Sequence, residues 1–261
     1  MSKILFMGSS HLGAVKLGYE QIAAEFPGAE VDFFGAPAKV FAAMALTEDL
    51  QFGITATSQV TEVEAQRVER TFGRREVDLR AYDTVVILGH RIEEIVNAQV
   101  LNSHSVAGLS EAPDLPPLTQ ETYLALMDSY LTGLLPDPAW AAIIRPRVIF
   151  VAKPRMSEGC VKGTSPRTKP WAELIRRGLV KGPGLQLFLD RARAVFADKG
   201  LHLITPPPEV LGATGLTRAD FSRAGAPDAG DALAGNDFDY SHMNAAYGVI
   251  MARSIMETVA G

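Results

Sequence analysis

The chain predicts an α/β protein built on one doubly wound, mostly parallel sheet. Three observations carry that expectation. Short, nearly unbroken apolar runs stand at 3–7, 83–88 and 147–152, as expected of strands buried on both faces. Segments with apolar residues at helical spacing lie between them. The first 34 residues read strand, helix, strand, a unit whose two strands pair in parallel.

Taken in order, Lys3 to Met7 forms the first strand and stops at Gly8. Leu12, Val15, Leu17, Ile22, Ala23 and Phe26 then recur with helical spacing over 12–26. Residues 30–34 form the second strand, ended by Gly35-Ala36-Pro37. The stretch 38–82 is less regular: 59–72 has helical potential, and a short hairpin is expected before it. Residues 83–88 form the third strand, ended by Gly89, and a loop rich in Ser, Pro and Gly covers 102–119. Thr119 is placed to cap a helix reaching about Leu134, with a short helical turn at 138–144. The fourth strand spans 147–152, and 153–184 is a Lys-, Arg-, Gly- and Pro-rich segment. A helix over 185–199 stops at Gly200, and the fifth strand, 201–205, is broken by Pro206-Pro207-Pro208. Residues 209–238 read as loop with one short helix, and 242–259 as the final helix. No linker divides the chain, so 1–261 is expected to be a single domain, with 153–184 as a candidate lid or insertion.

At 261 residues, 47% hydrophobic and 21% charged, the chain has the balance of a globular domain with a sizeable core. A net charge of −5 gives no electrostatic footprint for nucleic acid. Cys160 is the single cysteine, which excludes an internal disulfide and fits a reducing compartment. The apolar run 4–7 is too short for a signal-peptide core, and no stretch nears the ~20 residues that span a bilayer, so no membrane partner and a cytoplasmic location are expected. His104 and His202 are isolated, and no metal site is proposed.

The chemistry concentrates at the two ends. Gly8-Ser9-Ser10-His11 follows the first strand, and Asp239-Tyr240-Ser241-His242 precedes the last helix. A hydroxyl becomes a competent nucleophile when a base takes its proton, and the base works best when a carboxylate fixes its tautomer. Asp237 and Asp239 both lie near His242, and the three-residue offset favours Asp239. In open α/β sheets the crevice lies beyond the carboxyl ends of the strands, the rim that Gly8, Gly35 and Gly89 should reach. On residues alone, Ser10 is either a nucleophile or the N-cap of the first helix. His11 reads as a packed residue rather than a second base. His90 and Arg91 are either loop decoration or site residues.

These residues resemble the SGNH (GDSL-type) hydrolase family. Gly8-Ser9-Ser10 stands where the family has Gly-Asp-Ser, with Ser9 replacing the aspartate, and Gly8-Ser9-Ser10-His11 is similar to branches carrying Gly-Asn-Ser-His. Gly35 matches the glycine of the second motif. Gly89-His90-Arg91-Ile92 stands where the third has Gly-x-Asn-Asp, with Arg91 in the asparagine's place. Asp239-Tyr240-Ser241-His242 matches Asp-x-x-His, followed by Asn244 and Gly248. The resemblance implies a flavodoxin-like three-layer α/β/α sandwich around a five-stranded sheet. It implies a serine ester hydrolase with Ser10 as nucleophile, His242 as base and Asp239 orienting it. Backbone amides at Ser10 and at Gly35 or Gly89, with His90 or Arg91 replacing the missing side-chain amide, would hold the oxyanion. No cofactor is implied, and the expected partner is a short-chain acyl ester of a carbohydrate or small molecule.

Other readings stay open. The same triad can serve an acyltransferase, and the same fold a non-catalytic carbohydrate-binding module. A nucleotide-binding protein is disfavoured, because Gly8-Ser9-Ser10-His11-Leu12-Gly13 lacks the Gly-x-Gly-x-x-Gly pattern. Lys153, Arg155, Lys162, Arg167, Lys169, Arg176, Arg177 and Lys181 face only Glu158 and Glu173 in 153–181, a local excess that is either a solvated face or an attractor for an anionic substrate. If that segment is a lid, Gly159 and Gly163 are its hinges, and Trp171 or Trp140 offers a sugar-stacking surface.

Overall fold

The computed structural model describes residues 1–92, 94–163, 165–179, 184–223 and 239–261. The chain runs β1 (Ser2–Gly8), α1 (Leu12–Ile22), β2 (Ala29–Gly35), α2 (Ala38–Ala42), β3 (Ala45–Leu46), β4 (Gln51–Gly53), α3 (Glu62–Phe72) and β5 (Glu76–Asp78). It continues through β6 (Thr84–His90), α4 (Ile95–Ser103), β7 (Ser105–Val106), β8 (Pro117–Leu118), α5 (Gln120–Thr132) and α6 (Pro138–Ala141). It closes with β9 (Arg147–Ala152), α7 (Lys169–Arg176), α8 (Gly184–Ala197), β10 (His202–Ile204) and α9 (Ala245–Ala260).

Five strands form the central sheet in the order β10-β9-β6-β1-β2, and all four pairings are parallel. Counted in chain order this is 2-1-3-4-5, the flavodoxin-like arrangement. The three middle strands are apolar on both faces because each face is covered. Leu5 and Met7, Val85 and Ile87, and Phe150 and Ala152 point into one core. Their neighbours Ile4 and Phe6, Val86 and Leu88, and Ile149 and Val151 point into the other. The first core lies under residues of α3, α4, α5, α7 and α8, and the second under α1 and α9. This is a three-layer α/β/α sandwich. Each fully buried aliphatic or aromatic side chain contributes roughly 1.5–3 kcal/mol, so the doubly covered middle strands set the register of the whole sheet.

Most elements fall where the sequence places them. The expected hairpin is β3–β4, joined by β5 into a small antiparallel sheet. The helix expected over 59–72 begins at Glu62, because Thr61 and Glu64 form a reciprocal capping box there. α4 was not expected: its buried Asn97 interrupts the apolar pattern while bonding the Tyr123 hydroxyl at 2.7 Å. β6 does not end at Leu88 but runs on to His90, with a register shift against β9 that Gly89 absorbs at φ +77°. α9 begins at Ala245 rather than at His242, because Asn244 caps it by accepting from the Tyr247 N–H at 3.2 Å. The expected short helix in 209–238 corresponds, in the described part, to single 3₁₀ turns at Pro208–Val210 and Ala219–Phe221.

The described part of 153–184 is packed against the body. Cys160, Ala172 and Leu174 are fully buried, and Trp171 lies in the core, so it presents no face to a sugar. Trp140 packs edgewise against Phe150 and tilts over Phe52. The basic excess is also partly consumed. Buried Arg155 donates to Glu94 at 3.0 Å and to the carbonyls of Gly215 at 2.6 Å and Leu185 at 2.8 Å. Arg176 pairs with Glu173, and Arg177 with Asp114 at 2.9 Å. Lys181 lies outside the described residues.

One close approach organises the second core. α1 and α9 touch backbone to backbone at Gly18 and Gly248. A Cβ at Gly248 would stand 1.8 Å from the Ala14 carbonyl oxygen, and one at Gly18 would stand 2.0 Å from the Gly248 carbonyl carbon. Even a methyl group must therefore push the helices apart. Gly248→Ala is expected to destabilise the protein by about 1–3 kcal/mol or more, read as a lowered urea midpoint at unchanged slope.

Candidate active site

The sheet order reverses at β1, which has β2 on one side and β6 on the other. The crevice of such a sheet opens at this switch point, beyond the strands' carboxyl ends. β1 delivers Ser9 and Ser10 there, and β6 delivers Gly89. The turn after β1 is closed by the Leu12 N–H donating to the Ser9 carbonyl at 3.0 Å. His11, not Ser10, occupies the N-cap position of α1 and makes no side-chain cap bond. The Ser10 hydroxyl is thus turned to another partner, at the exposed rim.

That partner is His242, 232 residues away. Ser10 Oγ lies 2.8 Å from His242 Nε2. On the other side of the ring, His242 Nδ1 lies 2.7 Å from Asp239 Oδ2 and 2.8 Å from Oδ1. Read as a base, the ring donates Nδ1–H to the carboxylate and accepts the serine proton at Nε2. The three residues that the sequence singled out form one hydrogen-bonded chain.

The loop carrying Asp239 is folded on its own carboxylate. Asp239 Oδ1 also accepts from the Ser241 N–H at 3.3 Å, the Ser241 hydroxyl at 3.1 Å and the His242 N–H at 3.1 Å. Burial favours the neutral acid, but the bonds from His242 and Ser241 outweigh it and hold Asp239 well below the usual carboxylate range. Backbone bonds anchor the loop on two sides. The Ser157 N–H donates to the Tyr240 carbonyl at 3.0 Å. The Arg223 N–H donates to the His242 carbonyl at 3.0 Å, and the Asn244 N–H to the Phe221 carbonyl at 2.9 Å. Asp237, the competing carboxylate, lies outside the described residues.

The remaining sequence candidates separate. Gly35 pairs with Gly8 across β1 and β2, beside the serine turn. Gly89 lies against the His11 ring, where a Cβ would come within 3.0 Å of His11 Cδ2. His90 turns away into the core: its Nε2 bonds the Leu134 carbonyl at 2.9 Å, and its ring meets Phe150 and Phe196 edgewise. Burial lowers its pKa despite that bond. An oxyanion role for the His90 side chain is therefore not supported by its placement. Arg91 is exposed just past β6. Among the described residues, no group of three or more His, Cys, Asp or Glu is placed to hold a metal ion, and no helix is long and apolar enough to cross a membrane.

Sequence reasoning missed the setting of His11. Its ring stacks on that of His242, centroids 5.1 Å apart and planes 24° from parallel. Desolvation, then the charges of Lys153 and His242, hold its pKa down to about 3 from an ordinary 6.5, against a smaller opposing pull from Asp239. Beside it is a narrow depression lined by His11, Gly89, Ala152, Pro154 and the apolar side chains of Val15 and Met251, among others. The identity of His11 was visible in sequence, but no local signal announced the stack, because its partner is supplied from the far end of the chain.

No family model matches this chain, and no curated protein matches it. Fold and site together define an α/β protein with a Ser-His-Asp hydrogen-bonded chain at the switch point of its sheet.

The depressed His11 pKa has a consequence for stability. Between pH 6.5 and about 3 the unfolded chain binds a proton at His11 that the folded protein excludes. Stability therefore rises with pH through that window and falls as the solution is acidified. Asp239 acts in the same direction at lower pH, since its folded form also resists protonation. The melting temperature should fall as pH drops below 6.5, and His11→Phe should flatten the upper part of that slope.

Proposed function

We propose that this protein is a serine ester hydrolase acting through an acyl-enzyme. The reading rests on one observation: the unbroken chain from Ser10 Oγ through both ring nitrogens of His242 to Asp239, with bonds of 2.8 and 2.7 Å. His242 takes the Ser10 proton as Oγ attacks an ester carbonyl, and Asp239 steadies the imidazolium that forms. The Ser10 N–H, in the turn that opens α1, is the first donor to the tetrahedral oxyanion, with amides of the Gly35 and Gly89 rim beside it. The intermediate collapses, and His242 passes the proton to the departing alcohol. Water, activated by the same imidazole, then releases the acid from Ser10.

The exposed position of Ser10 favours an alcohol portion of any bulk, a saccharide included.

A short-chain aryl ester and a fluorophosphonate probe test the reading. The wild-type protein is expected to hydrolyse the ester and to carry the probe on Ser10 by peptide mass mapping. Ser10→Ala should lose both at unchanged melting temperature, with turnover down by about 10³-fold or more, and Asp239→Asn should lower kcat by about 10⁴-fold by presenting the wrong tautomer. Undiminished turnover in Ser10→Ala would remove the serine from the mechanism. Product analysis with added sugar acceptors distinguishes release to water from acyl transfer.

A further inference from the structure

The hydrogen bonds to Asp239 and Ser10 fix two points on the His242 ring, both near its plane. They leave the ring free to rock about the axis joining its two nitrogens. Something must back one face if Nε2 is to stay aligned with the serine oxygen. His11 lies there, 5.1 Å from ring to ring and within 24° of parallel. His11 is itself backed: Gly89 presents bare backbone to it, and any side chain at that position would meet His11 Cδ2 at 3.0 Å. The bulge in β6 that sets Gly89 at φ +77° brings this bare surface against the ring. The result is a stack of three layers: strand end, first imidazole, second imidazole.

We propose that His11 is a positioning residue whose ring backs the His242 imidazole and holds it in the plane that links Asp239 to Ser10. The proposal rests on the serine hydrolase reading for its catalytic meaning, though not for its geometry. The surroundings suit a passive plate rather than a second base. His11 faces the charges of Lys153, His242 and Asp239, and desolvation adds to the first two in opposing its protonation. A ring that stays neutral down to about pH 3 is a poor acceptor for the Ser10 proton. It also adds no repulsion when His242 becomes charged during turnover. The plate thus works through shape, and a neutral aromatic ring of similar size should replace it.

Two variants and two readouts test this. His11→Ala removes the plate, and His11→Phe keeps one. With a short-chain aryl ester, His11→Ala is expected to lower kcat by about 10- to 100-fold, the scale of a small misplacement of a catalytic group, with KM changed less than about twofold. His11→Phe should recover most of kcat. In proteins labelled with ¹³C-histidine, the His242 Cε1–H resonance should show ring-current shielding in wild type and His11→Phe, and lose it in His11→Ala. The proposal falls if His11→Ala keeps wild-type kcat and an unmoved His242 resonance. It also falls if His11→Phe is as slow as His11→Ala, since the nitrogens rather than the plane would then matter. Should the wild-type protein neither turn over ester nor take up the fluorophosphonate, the hydrolase reading fails by itself, and an unmoved His242 resonance in His11→Ala would separately overturn the stack on which the positioning role depends.

Discussion

The contact between α1 and α9 is the constraint on which the site depends. Ser10 stands at the start of α1 and His242 just before α9, with almost the whole chain between them. No local interaction can bring them together. The two glycines let the helices approach until their backbones touch, and both helices begin at the same rim of the sheet. With the helices fixed side by side, the residues preceding each fall within hydrogen-bond reach. The 2.8 Å separation of Ser10 Oγ and His242 Nε2 is thus set one to two helical turns below the chemistry.

The aspartate is placed by a different device. Asp239 belongs to a short loop that wraps its own carboxylate, and that loop is tied by backbone bonds to Ser157, Phe221 and Arg223. Within the described residues, the segment after β9 is thus tied to the site through Ser157. Arg155 and Glu94, both buried, join this segment to α4 and α8. A buried pair of this kind adds little net stability, but losing one partner costs about 3–5 kcal/mol because the other charge is stranded.

Much of this architecture was legible because it follows from local chemistry. Ile4–Met7 of β1 and Val148–Ala152 of β9 are apolar runs that stop at or just before a small residue, as expected of the covered middle of a parallel sheet. Thr119 and Gly200 mark helix ends with residues whose conformational preferences leave few alternatives. The triad was legible for a similar reason: its members sit in two short motifs whose spacing reflects their mutual geometry. What escaped notice depends on distant partners. α4 hides behind Asn97, a polar residue buried because Tyr123 and the Gly184 carbonyl meet it. The strand β5 that joins the expected hairpin is only three residues long, below any periodic signal. His90 lies beside Gly89 in sequence, yet the pleat sends its ring to the opposite core, where Leu134 receives it. The stack of His11 on His242 needs both ends of the chain at once.

The Ser10 hydroxyl stands exposed at the rim, while the His242 ring and the Asp239 carboxylate that continue its hydrogen-bonded chain are partly sheltered. On the hydrolase reading proposed above, an ester would therefore meet the hydroxyl from the solvent side. Its alcohol portion would project outward and would not have to thread into the protein. A decoration on a long polymer would then be as reachable as one on a single sugar ring.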